Sequence, residues 1–162
     1  MGGKGKAGQT ILRNAMLLVE DYRVANAPKT EHMLAPTGPV SWQPPSHGLY
    51  KVNIDGAVFS KRKQAGARVV IRDGDGEVIA TLSKRWGFPL GAIEAEAKAW
   101  EAGILFARDV GIRDVEFEGD SLEVCNSLQG LSSPSSSVAN VLTGFLNLVS
   151  HFRQWKVSHI KR

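Results

Sequence analysis

Hydrophobic and polar positions alternate and recur with enough regularity to divide most of the chain into elements. Tyr50, Val52 and Ile54 alternate with Lys51, Asn53 and Asp55, which predicts a strand with one buried row and one polar row. Residues 65–72 and 77–83 are also strand-like, and Asp73-Gly74-Asp75-Gly76 between them predicts a hairpin turn. Ile93, Ala97, Trp100, Ile104 and Ala107 recur every three or four residues, so a helix is expected that stops before Gly111. Residues 112–118 return to a period of two with Val115 and Phe117 inward. A short helix over 121–128, a serine-rich loop over 132–137, a helix over 138–149 and a last strand over 152–160 complete the series. The order β-β-β-α-β-α-α-β predicts an α/β fold, a mixed five-stranded sheet with flanking helices. Ahead of it, a helix over 10–26 is expected, with apolar residues at 11, 12, 15, 18, 19 and 22 on one face. The five prolines between 28 and 45 predict an extended linker. The division expected is therefore 1–48 for tail, helix and Pro-rich linker, and 49–162 for the folded domain.

A chain of 162 residues allows one sizeable core. No run approaches the 18–20 apolar residues of a membrane span, and no secretory leader is expected. The single cysteine, Cys125, excludes an internal disulfide and a four-cysteine zinc cage. An intracellular location is expected, with nucleus and cytoplasm not distinguished. Net charge is +4, unevenly spread: residues 1–91 hold 13 basic and 7 acidic side chains, residues 92–162 hold 7 and 9. Between 112 and 123 five acids (Asp114, Glu116, Glu118, Asp120 and Glu123) face only Arg113, a crowding that a solvated surface tolerates and a cation site uses.

Asp55 closes the polar row of the first strand and Asp120 follows the fourth, where Gly119 is expected to relax the chain before the next helix, so the two acids meet if those strands are neighbours. On the helix, Glu96 flanks the apolar face beside Ile93 and Trp100, whereas Glu94 points away. Asp55, Glu96 and Asp120 are thus the candidate metal-binding and catalytic acids. Hard oxygen donors suit Mg²⁺, and two ions could support phosphodiester hydrolysis; the same acids also fit solvated positions and caps. Lys61, Arg62 and Lys63 form a basic hairpin tip that either contacts phosphate or is simply solvated. Gly56, which permits close backbone approach, and Asn53, which stands where it could orient Asp55 or a metal-bound water, are with these three the candidate nucleic-acid contacts. Cys125 is expected to be buried, Trp100 to be core, and Ser121 to cap its helix.

Four segments, KVNIDGA at 51–57, GARVVIRDGDGEV at 66–78, AEAKAWEAG at 95–103 and EGDSLEV at 118–124, together resemble the type 1 ribonuclease H domain of the ribonuclease H-like superfamily, in particular the plant reverse-transcriptase-like group. The resemblance spans about 49–162. It implies a five-stranded mixed sheet with helices and metal-dependent cutting of the RNA strand of RNA–DNA hybrids. By this resemblance Asp55, Glu96 and Asp120 hold two Mg²⁺ ions, with Mn²⁺ a possible substitute. The partner implied is nucleic acid, RNA–DNA hybrid foremost, with no membrane and a monomeric state. Relatives continue past the segment matching 155–162 into a last helix bearing a fourth acid, so this domain is expected to be C-terminally incomplete, its final helix missing. An inactive nucleic-acid-binding module and a structural or protein-interaction domain are the alternative functions.

Overall fold

The computed structural model describes residues 42–161. The helix expected over 10–26 and most of the proline-rich linker lie outside these residues. β1 (Tyr50–Phe59) passes through a 3-10 turn, Ser60–Arg62, into β2 (Gln64–Arg72), and β3 (Val78–Trp86) completes an antiparallel meander. α1 (Ala92–Val110) leads to β4 (Asp114–Gly119), followed by α2 (Leu122–Leu128), α3 (Ser136–Val149) and β5 (Gln154–His159). The sheet runs β3-β2-β1-β4-β5, with β1, β4 and β5 parallel and β2 antiparallel to its neighbours. The expected order and mixed sheet are therefore observed, and no helix follows β5 among the described residues.

Local chemistry sets the boundaries. The Asp73 carboxylate accepts hydrogen bonds from the N–H groups of Asp75 and Glu77, and Gly76 takes φ +89°, closing the β2–β3 turn. Gly111, at φ +91°, ends α1: its N–H and that of Ile112 return to the carbonyls of Arg108 and Ala107. That bond holds Ile112 in the helix terminus, so β4 begins at Asp114 and not at 112 as the alternation suggests. Ser121 caps α2, its hydroxyl oxygen accepting from the Val124 N–H at 3.4 Å.

The core lies between α1 and the sheet. Val52, Ile54, Val69, Ile71, Val115 and Phe117 are fully buried beneath Ala99, Trp100, Ile104 and Ala107. Small residues bring α1 close: a Cβ on Gly103 would stand 2.7 Å from Ile54 Cδ1. Trp100, Phe117, Phe145 and Phe152 pack as tilted and edge-on rings with centroids 5.4–6.4 Å apart.

The β1 pattern needs one correction. Tyr50, expected in the buried row, is exposed at the start of the strand, while Lys51 and Asp55 from the polar row are buried. Over Lys51 the cover comes from residues 42–49, which take in the described end, 42–48, of the segment read from sequence as linker. Pro45 and Leu49 are buried, the Gln43 carbonyl accepts from Lys51 Nζ at 2.8 Å, and the Trp42 ring lies against Gly76 and 5.9 Å from that ammonium.

Candidate metal centre

The parallel ladder joins Tyr50 to Val115 and runs to Asn53 opposite Glu118. Continuing that register puts Asp120 beside Asp55, at the carboxyl end of β4, where the strand pair opens. α1 supplies the third acid. A Cβ on Gly56 would stand 2.9 Å from the Ala95 carbonyl oxygen and from the Glu96 nitrogen and α-carbon, so glycine alone admits the helix to this depth. Glu96 then reaches back over β1, its Oε2 accepting from the Gly56 N–H at 3.3 Å. Asp55, Glu96 and Asp120 each offer a carboxylate oxygen, and these oxygens lie within 4.8 Å of one another. Asp55 is buried and the other two are half-buried, so the cluster is rooted in the fold and open on one side. Glu94 takes the other task open to a first-turn acid, accepting from the Gly91 N–H at 2.8 Å.

An all-oxygen donor set of this span fits a hard divalent cation such as Mg²⁺ or Mn²⁺, which would also offset the mutual repulsion of the acids. The negative charge is felt nearby. Burial pushes the Cys125 thiol up to about 11, and Asp120 and Glu96 push it in the same direction. The thiol is thus held protonated inside the fold, with its sulfur near the carbonyls of Gly119 and Ser158.

The acidic run expected around 112–123 divides among different partners. Asp114, at the start of β4, pairs with Arg153 just before β5, and the Arg153 hydrogen bond lowers its pKa. Glu116 is buried, which alone would raise its pKa. The hydrogen bond from Lys156, the Lys51 charge and bonds from the Ser46 N–H and the Ser158 hydroxyl outweigh that and hold it below the usual value. Glu118 accepts from Lys51 at 2.8 Å and from the Asn53 amide at 2.6 Å. Of this run, Asp120 alone joins the cluster.

Asn53 lies between Glu118 and Arg72, whose guanidinium donates to its carbonyl oxygen at 2.9 Å. Lys61, Arg62 and Lys63 are exposed at the β1–β2 tip, with Lys63 in the left-handed region at φ +51°. His159 ends β5 with its Nε2 3.1 Å from the Asp120 carbonyl oxygen. Trp86 is half-buried against the core, with Lys84 Nζ 5.8 Å from its ring centroid. Gly119 differs from its expected role of relaxing the chain. It is not among the positive-φ glycines; it makes room for Trp100, whose ring atoms Cζ2 and Nε1 would lie 2.8 and 2.9 Å from an added Cβ. The sequence held a signal for that packing, a large aromatic one helical turn after Glu96, but not its partner.

Several solved structures share this architecture. The ribonuclease H1 of Halobacterium salinarum is 27% identical with a TM-score of 0.66, the match covering 71% of this chain and 87% of that one. The N-terminal ribonuclease H domain of a Mycobacterium tuberculosis protein matches at 21% identity and a TM-score of 0.63, covering 70% and 82%. LC11 ribonuclease H1, solved in complex with an RNA/DNA hybrid, matches at 19% and 0.63, covering 70% and 86%. The last two, at their low identity, bear on the fold alone. No curated protein sequence matches the chain. Residues 53–162 match the family described as reverse transcriptase-like, more than half of the chain. With that match laid over the sheet order and the acidic cluster, the chain belongs to the reverse transcriptase-like family and carries a type 1 ribonuclease H-like domain.

Proposed function

We propose that this domain is a divalent-cation-dependent endonuclease that cuts the RNA strand of RNA–DNA hybrids. The observation that carries the reading is the convergence of Asp55, Glu96 and Asp120, from a strand, a helix and a strand end, to within 4.8 Å. Asp55 and Asp120 would hold the cation from the sheet and Glu96 from the helix. Mg²⁺ at this site would supply Lewis acidity and neutralise charge on a phosphodiester under attack by water. Around it the Gly56 N–H acts as a positioner by orienting Glu96, while Asn53, two residues before Asp55, ties β1 to Glu118 and Arg72. The exposed Lys61, Arg62 and Lys63 meet phosphate in this reading, supplying affinity without base preference. Assignment to the plant reverse-transcriptase-like group rests on the four sequence segments alone.

A second reading, an inactive nucleic-acid-binding module, is favoured by one feature: among the described residues the acidic cluster has three members, not the four that the family resemblance implies. The test is incubation of the 162-residue chain with a labelled RNA–DNA hybrid in Mg²⁺, Mn²⁺ or EDTA, beside Asp55→Asn. The enzyme reading expects metal-dependent RNA cutting that falls at least about a thousandfold in the variant, the scale of losing several kcal/mol of charge stabilisation. Salt-sensitive hybrid binding without cutting by folded protein selects the binding module instead, and neither binding nor cutting selects a structural role.

A further inference from the structure

Trp100 is the largest fully buried side chain, and its indole N–H has no hydrogen-bond partner among the described residues. Burying an unpaired donor lowers stability, and a phenylalanine would fill much of the same space without one. What the indole adds is its long edge, and that edge is packed against Gly119. Cζ2, Nε1 and Cε2 would lie 2.8, 2.9 and 3.0 Å from a Cβ built on this glycine. The ring has no room to retreat, because Phe117 and Phe145 pack on it with centroids 6.4 and 6.3 Å away. Trp100 lies one helical turn beyond Glu96, and Gly119 immediately precedes Asp120. The indole is thus the wedge between the helix that carries one acid and the strand end that carries another.

We propose that Trp100 is a positioning residue for the metal centre: seated against Gly119, it sets the separation of Glu96 on α1 from Asp120 at the end of β4. The inference rests on the metal-binding reading above. Groups that orient metal ligands from behind typically change metal affinity by about 10–100-fold when altered. Gly119→Ala forces the strand end away from the indole and is expected to weaken Mn²⁺ binding roughly tenfold while the fold persists. Gly66→Ala on β2 is the control, because its Cβ would crowd the Lys84 carbonyl at 3.0 Å and the Phe59 ring at 3.2 Å, away from Glu96 and from the Gly119–Asp120 strand end.

Mn²⁺ affinity by calorimetry, with thermal unfolding in parallel, decides between positioning and general stability. Expected are weaker binding in Gly119→Ala, unchanged binding in Gly66→Ala, and partial recovery in the double variant Gly119→Ala with Trp100→Phe, whose shorter ring makes room for the methyl group. Should Gly119→Ala fail to fold, Trp100→Phe alone carries the test, with several-fold weaker binding expected. Wild-type affinity in folded Gly119→Ala, or no recovery in the double variant, overturns the proposal and leaves the metal site standing. Unchanged affinity in Trp100→Phe overturns it as well. Wild-type protein that binds no Mn²⁺ overturns the metal reading and this proposal together.

Discussion

Two groups of carboxylates meet along β4, one on the strand itself and one just past its end, and they are built in opposite ways. Glu116 and Glu118 are threaded through a cross-strand network: Lys51 from β1 bonds Glu118 at 2.8 Å, and Lys156 from β5 bonds Glu116 at 2.9 Å. Asp55, Glu96 and Asp120 instead face one another, drawn from three separate elements to the opening beside the end of β4. The first group satisfies its charges with protein cations and hydrogen bonds, the condition under which buried acids are tolerated. The second concentrates charge of one sign at a place where the fold leaves access, and two glycines, Gly56 and Gly119, let helix and strand approach closely enough to do so. The contrast comes from what stands on the neighbouring element, not from the acids themselves.

The contrast is sharpest if its compensated side is broken. Lys51→Met leaves Glu118 and Glu116 buried with a cation removed and is expected to cost about 3–5 kcal/mol of unfolding free energy. Urea titration would measure it, and a loss below about 1 kcal/mol, the scale of an exposed pair, would show that Lys51 does not hold these buried carboxylates in place. On the other side, Gly56→Ala pushes a methyl group into the backbone of α1. It is expected to cost about 1–3 kcal/mol and to lower Mn²⁺ affinity by moving Glu96, read by the same titration and by calorimetry.

A smaller effect separates the groups by pH. The folded pKa of Glu116 lies below its ordinary 4.5, so folding favours the ionised form. Its contribution is present in full above that ordinary value and is lost as pH falls through the lowered one. Asp114, lowered by Arg153, acts in the same direction. Stability measured in urea from about pH 7 down to about pH 3 should therefore fall below about pH 4.5. Lys156→Met should flatten that fall while costing within about 1 kcal/mol near neutral pH, since this lysine is largely solvated. The smallest effect expected is that of Lys61→Ala with Lys63→Ala. Hybrid binding should weaken, and the slope of log affinity on log salt should drop by roughly one for each phosphate that is no longer neutralised, with folding unchanged.

Much of this was legible in the chain. The period-two runs and the i, i+3, i+4 spacing of α1 marked out the elements from β1 to β5, because each buries one face and the pattern records it. The three acids were also legible, since Glu96 lies on the flank of α1 that meets the sheet and Glu94 does not. What was hidden depends on segments far apart in sequence. Lys51 reads as a solvent-facing residue until residues 42–49 are seen folded across it. The acids at 114, 116 and 118 look equivalent to Asp120 until Arg153 and Lys156, from β5 and the turn before it, and Lys51, from β1, are found beside them. Gly119 reads as a flexible joint until Trp100 is found against it. In each case the deciding neighbour lies on another element, and local periodicity carries no record of it.

In the reading proposed above, the Asp120 cluster is a cation site and the Glu118 network is not. Calorimetric titration of Mn²⁺ into the wild type, Asp120→Asn and Glu118→Gln tests it most directly. Saturable binding in the wild type and Glu118→Gln that is lost in Asp120→Asn is the predicted result. Binding that survives Asp120→Asn, or that Glu118→Gln abolishes in a folded protein, would contradict it.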